Sequence, residues 1–186
     1  MRRAFGVCGV AAAIAAAPMA PATAEPPSEP LYALIDAATQ RLQTADPVAA
    51  SKWLSGGPIT DPARVQQVLA TVSAEAESLS LPSDYVTRVF TDQINATEAI
   101  QYSRFSWWKL DPAAAPTSAP DLSSSRALID GLNQRMVGEI AGQWPVLHSP
   151  DCPARLDAAK AAVAADRGLD PLYVQALDAA TRDYCS

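Results

Sequence analysis

Cations and neutral polar side chains stand in this sequence where helical spacing predicts apolar faces. Phe90, Ile94, Thr97, Gln101, Phe105 and Trp108 follow one another at steps of 4, 3, 4, 4 and 3 residues, the spacing of one face of a helix. Phe90, Ile94, Phe105 and Trp108 belong in a core, yet Thr97 and Gln101 interrupt them one turn apart. Arg41 continues the line of Leu34 and Ala38, Lys52 stands beside Trp53, and Arg64 falls in a first helical turn. Arg126 begins a stripe continued by Ile129, Asn133, Met136 or Val137, and Ile140. Read singly, each cation is a solvated charge or a stem laid over apolar surface, and Thr97 and Gln101 are polar groups bonded to neighbouring helices. Read together, they suit a pocket inside a helical bundle that grips a small, highly anionic ligand. Charge-assisted hydrogen bonds to carboxylates are the strong kind. The same cations buried without a partner would be costly.

Other chemistries find little support. The single histidine, His148, lies in the loop "VLHSP" with no nucleophile motif beside it. Without a second histidine the chain offers no His/Cys metal set, and no glycine-rich phosphate loop occurs. No cofactor and no metal are therefore expected. Asn95-Ala96-Thr97 fits a glycosylation acceptor, but it falls mid-helix with Thr97 turned inward. The formal net charge is −6, and removing Arg2 and Arg3 with the N-terminal segment makes it −8. An acidic chain without basic clusters binds nucleic acid and anionic membranes poorly.

The elements that must position these residues read as helices throughout. Met1-Arg2-Arg3, an apolar run to Ala17 and small residues at Ala22-Thr23-Ala24 describe a secretory signal peptide over 1–24, cleaved after Ala24, with Ala20 as the alternative. The apolar run is too short to span a bilayer. What remains, 25–186, is enough for one domain, placed outside the cytoplasm: secreted or periplasmic. Asp-Pro pairs at Asp46-Pro47, Asp61-Pro62 and Asp170-Pro171 predict helix starts, the aspartate capping a free N–H and the proline having none to leave unpaired. Helices are predicted over about 29–45, from Asp46 to the "SGGP" stop, and over about 62–79, 83–109, 123–143, 153–167 and 171–185. Leu31, Leu34, Ile35, Ala38 and Leu42 form the inward face of the first. The fold class is all-α, a single-domain bundle of about six to seven helices. Cys152 and Cys185 are the cysteines left after cleavage, and in an exported chain the pair predicts one disulfide tying the last helix to the one before it.

Five stretches carry a family resemblance: "ADPVAASKW", "ITDPARVQQVL", "DYVTRVFTDQINATEAIQYSRFSWWKL", "PDLSSSR" and "LYVQALDAATRDYC". With their spacing they resemble the secreted chorismate mutases of the all-helical class, over nearly the whole mature chain. The resemblance implies an all-α fold with its active site inside one chain, usually in a homodimer, and chorismate as the small-molecule substrate. Chorismate is a dicarboxylate with a vinyl ether. Its Claisen rearrangement to prephenate breaks one C–O bond and forms one C–C bond, without nucleophile, metal or proton transfer. The family's roles fall on matching positions. Arg41, Arg64 and Arg126 would grip the carboxylates. Lys52 would reach a carboxylate and the ether oxygen, and Thr97 would help hold a carboxylate. Asp61 matches an acidic residue at the edge of the site, with N-capping as its other reading. Gln101 would be the second donor to the ether oxygen. Lys52, Gln101 and Arg126 are thus the expected catalytic set.

Two departures from the relatives have physical content. Secreted relatives often carry glutamate where this chain has Gln101. Ionised glutamate cannot donate a hydrogen bond, whereas glutamine always offers an N–H. After the helix-3 arginine, Val65 and Val68 stand where relatives can place polar side chains toward the ring hydroxyl, leaving Gln67, Glu98 or a backbone group. Two other functions compete: a catalytically silent module binding a dicarboxylate or a protein, and a structural bundle stapled by Cys152–Cys185. The structural reading has no use for inward cations.

Overall fold

A computed structural model describes Met1 and residues 29–185. The predicted signal peptide and its cleavage point lie outside the described residues beyond Met1. The helices are α1 (Tyr32–Gln43), α2 (Ala45–Ser55), α3 (Pro62–Ser78), α4 (Ser83–Leu110), α5 (Leu122–Gly142), α6 (Trp144–Leu147), α7 (Cys152–Arg167) and α8 (Pro171–Ala180). Among the described residues there is no strand, and the all-α expectation holds. No helix among them is long and apolar enough to cross a membrane.

Helix α4 is the axis of the bundle. Its 28 residues pack against α3, α8, α2 and α1, while α1 also lies along α5, α7 and α8. The predicted inward face of α1 is fully buried: Leu31, Leu34, Ile35, Ala38 and Leu42. They join Phe90 and Ile100 of α4, Met136 and Ile140 of α5, and Val163 and Leu177 of the last two helices in one core.

Two of the predicted aspartate starts are made as read. Asp61 accepts from the Arg64 N–H at 3.1 Å and Asp170 from the Tyr173 N–H at 2.9 Å, each with proline at the first helical position. Asp46 differs. Thr44, the single residue between α1 and α2, keeps a right-handed helical backbone, so α2 begins at Ala45 and Asp46 sits within its first turn. Pro47 is tolerated there because the first N–H groups of a helix have no partner within it. The Asp46 carboxylate instead pairs with Arg104 of α4 at 2.7 Å. The "SGGP" stop is realised by Gly56 at φ +70°, a left-handed cap that a β-carbon would strain.

The last helix is shorter than predicted. It ends at Ala180, and the tail turns inward to bury Tyr184, whose carbonyl accepts from the Tyr85 hydroxyl at 2.7 Å. That turn brings Cys185 to Cys152, with 5.7 Å between their α-carbons, so the disulfide joins the first residue of α7 to the tail beyond α8. Beyond α5, residues 144–147 make a separate single turn rather than loop. His148 follows it, stacked on Trp144 with ring centroids 3.8 Å apart, in a packing role.

Candidate active site

A cleft of about 620 Å³, its open mouth included, lies between α1, α2, α3, α4 and α5. Arg41, Lys52, Asp61, Arg64, Thr97, Gln101 and Arg126 all line it, so every site residue expected from the sequence meets the same space. Val48, Ile59, Val65, Val68, Ile94 and Ile129 are among the apolar walls between them.

Arg41 is the deepest cation, only 4 % exposed. Its Nε donates to Asn133 Oδ1 at 2.7 Å, and one terminal nitrogen points to the Gln93 carbonyl and the Thr97 hydroxyl at 3.5 and 3.3 Å. All three acceptors are neutral, and no carboxylate among the described residues stands within ion-pair distance. Burial is the main reason its pKa is pushed down to about 10, with Arg64 adding like-charge repulsion. Arg41 therefore stays charged at neutral pH in a place where its charge is poorly solvated.

The rim cations are held differently. Arg64 pairs with Asp130 of α5 and donates to Gln67 at 3.1 Å. Arg126, with 44 % of its side chain exposed, reaches Asp61 at 3.2 Å. Asp61 thus does two jobs: one oxygen caps α3 and the other holds Arg126. Lys52 donates to the Ile59 carbonyl. Burial lowers the pKa of this lysine below the ordinary lysine value, Glu98 and Asp61 pull it back up, and Arg126 pushes it down.

On α4, Ile94, Thr97, Glu98 and Gln101 share the cleft face at the i, i+3, i+4, i+7 spacing. Thr97 gives its proton to the Gln93 carbonyl at 2.7 Å, one turn back. Gln101 is 4 % exposed and its amide has no hydrogen-bond partner among the described residues; its Oε1 is shut off from solvent. A buried acceptor left unmatched is unfavourable by about 1–3 kcal/mol.

Asn133 and Asp130 were not singled out as site residues from the sequence. Asn133 carried a usable signal, a buried polar residue within the apolar stripe of α5, like Thr97 and Gln101 on α4. Asp130 carried none, because only the packing of α3 on α5 brings it to Arg64. Among the described residues no cluster of His, Cys, Asp or Glu could hold a metal ion.

Fold and cleft together describe an all-helical protein whose cleft gathers cations from four helices of one chain. Comparison with known proteins makes the class specific. Residues 32–102 match the family model of chorismate mutase type II. The secreted chorismate mutase of Mycolicibacterium smegmatis is 60 % identical over 164 residues, covering 88 % of this chain and 90 % of that protein. The secreted chorismate mutase of Mycobacterium tuberculosis is 55 % identical over 155 residues, covering 83 % and 78 %. The crystal structure of chorismate mutase from Burkholderia phymatum superposes with a TM-score of 0.80 at 31 % identity, covering 85 % of this chain and 97 % of that one. The chain belongs to the chorismate mutase family.

Proposed function

We propose that this protein is an isomerase that rearranges chorismate to prephenate in the cleft between α1, α2, α3, α4 and α5. The observation that carries the reading is the convergence of Arg41, Lys52, Arg64 and Arg126 with Thr97 and Gln101 on one cleft. A merely structural bundle has no use for inward cations.

The substrate is a dianion, and the reaction needs its compact, chair-like conformer with the two reacting carbons close. Arg41, Arg64 and Arg126 bind the carboxylates from different helices, which fixes that conformer. Arg41 is best prepared, because neutral Asn133 orients it without cancelling its charge. Arg64 and Arg126 are held by Asp130 and Asp61, so their positions are set before the ligand arrives. Thr97 rotates its hydroxyl from the Gln93 carbonyl to a carboxylate oxygen.

As the C–O bond opens, negative charge grows on the ether oxygen. Lys52 Nζ and Gln101 Nε2 donate to that oxygen, and such preorganised donors stabilise the transition state more than the ground state. No proton changes hands. The chain is exported after cleavage near Ala24, to the periplasm or medium, and pairs as a homodimer in which each cleft is complete within one chain. The relatives named secreted support export, and the meeting of all the expected site residues of this chain in one cleft supports a site complete within it.

The test follows chorismate loss and prephenate formation with purified protein beside an Arg126→Ala control. The reading expects wild type to accelerate the rearrangement and the control to lose most of that acceleration. A folded, disulfide-bonded wild type no faster than buffer would overturn it. Sedimentation of the same sample gives the oligomeric state, expected to be a dimer.

A further inference from the structure

Lys52 has to present its ammonium to a carboxylate and to the ether oxygen from the last turn of α2. An ammonium has three protons to give. One goes to the Ile59 carbonyl, the hydrogen-bond partner of Lys52 Nζ among the described residues. Anchoring that proton fixes the directions of the other two, so the Ile59 carbonyl sets where Lys52 points. That carbonyl lies in the short connection 56–61 between α2 and α3. The backbone of this connection does little to hold itself. Gly56 is left-handed at φ +70°, Pro58 has no N–H, and residues 58–60 make no backbone-to-backbone hydrogen bond among the described residues. Asp61 is fixed by its cap and by Arg126. The stretch before it is tied down by side chains: Ile59, 5 % exposed in the cleft wall, and Thr60, whose hydroxyl meets Glu98 Oε2 and Tyr102 Oη of α4, each at 3.0 Å.

Resting on the chorismate mutase reading, we propose that Thr60 is a positioning residue for Lys52: its hydroxyl latches the α2–α3 connection to α4 and so aims the adjacent Ile59 carbonyl at the ammonium. Chemistry fixes the direction of each bond. A carboxylate only accepts, so Thr60 gives its one proton to Glu98, and the Tyr102 hydroxyl donates to Thr60. Glu98 and Tyr102 stand one turn apart on α4, so the latch closes on a single turn of a 28-residue helix. The same helix carries Gln101, the other donor to the ether oxygen. Both donors are thereby referred to one rigid element, Gln101 directly and Lys52 through Ile59 and Thr60. Without the latch, 58–60 has no backbone hydrogen bond to keep the carbonyl in place, and Lys52 swings on its flexible stem. Glu98 contributes its charge as well. Burial disfavours the charged form of Lys52, and the Glu98 carboxylate favours it.

The test uses Thr60→Val, which keeps the side chain's shape and removes its hydroxyl, and Thr60→Ser, which keeps the hydroxyl. Thr60 is exposed in a loop, so both variants are expected to fold; thermal melts check this. A small misplacement of a positioned group is felt strongly, so Thr60→Val should lower kcat/KM on chorismate by about 10- to 100-fold. Thr60→Ser should recover most of that loss. A double-mutant cycle then asks whether Thr60 acts through Lys52, read by calorimetry as affinity for a stable bicyclic dicarboxylate that mimics the transition state. Thr60→Val should weaken that affinity about tenfold in the wild-type background and by less than about twofold beside Lys52→Ala, where the group it aims is gone. Equal weakening in both backgrounds would overturn the assignment. So would Thr60→Val as fast as wild type, or Thr60→Ser as slow as Thr60→Val. A wild type that neither accelerates the rearrangement nor binds the mimic would instead remove the enzymatic reading itself, and this inference with it.

Discussion

Replacing Gln101 by leucine should make the protein more stable and much slower. Gln101 is 4 % exposed, and its Oε1 is buried without a hydrogen-bond partner among the described residues. Leucine removes that unmatched polar group at similar size, a gain of about 1–3 kcal/mol. For a domain of this size that raises the melting temperature by about 2–4 °C per kcal/mol. The same change deletes a donor to the ether oxygen, and a single preorganised donor of this kind contributes about 10²- to 10³-fold in kcat. Opposite signs in the two readouts separate a functional residue from a packing one. The companion variant is Gln101→Glu. A protonated carboxyl can donate and an ionised one cannot. Its rate should therefore fall tenfold per pH unit above the carboxyl's pKa and recover in acid, while wild type stays nearly flat from mildly acidic to neutral pH. The assay is steady-state chorismate consumption across pH, with thermal melts of each protein. Gln101→Leu within about twofold of wild type in rate, or Gln101→Glu with the wild-type pH profile, would refute the role given to Gln101.

Further outcomes follow from the same geometry. Asn133→Asp gives Arg41 a carboxylate of its own, so the fold should hold while KM for chorismate rises about tenfold or more, read by steady-state kinetics and a melt. Burial lowers the Lys52 pKa, so its charge, and with it kcat/KM, should be lost on the alkaline side below the ordinary lysine range. Lys52→Arg should move that alkaline limb upward, leaving the loss of Arg41 charge near 10, even at a lower absolute rate. Reducing Cys152–Cys185 frees a loop whose ends are 33 positions apart, which removes about 4 kcal/mol by chain entropy and lowers the melting temperature by about 10 °C. Activity at 25 °C should survive reduction, because the cleft is built from α1 to α5.

Short-range chemistry made much of this protein legible in its sequence. The stripe on α4 betrayed a polar site because Thr97 and Gln101 break an apolar face, and both line the cleft. The aspartate-proline starts at Asp61 and Asp170 and the Gly56 stop depend only on neighbouring residues, and the structure contains them. Asp46-Pro47 was misread because a helical Thr44 lets α2 begin before the cap signal, leaving Asp46 free for Arg104. The final helix was read too long because its breaker is tertiary: the tail turns to bury Tyr184 and reach Cys152. The partners that tune the cations were hidden for the same reason. Arg41 meets Asn133 across 92 positions and Arg64 meets Asp130 across 66, distances over which pattern carries no information. The resemblance supplied roles, but not what fixes each side chain in place.

The most direct measurement is a crystal structure with a stable bicyclic dicarboxylate that mimics the transition state. The account predicts its carboxylates on Arg41, Arg64 and Arg126, and its ether oxygen within about 3.2 Å of both Lys52 Nζ and Gln101 Nε2. A mimic bound elsewhere, or seated in the cleft with its ether oxygen turned away from both donors, would contradict it.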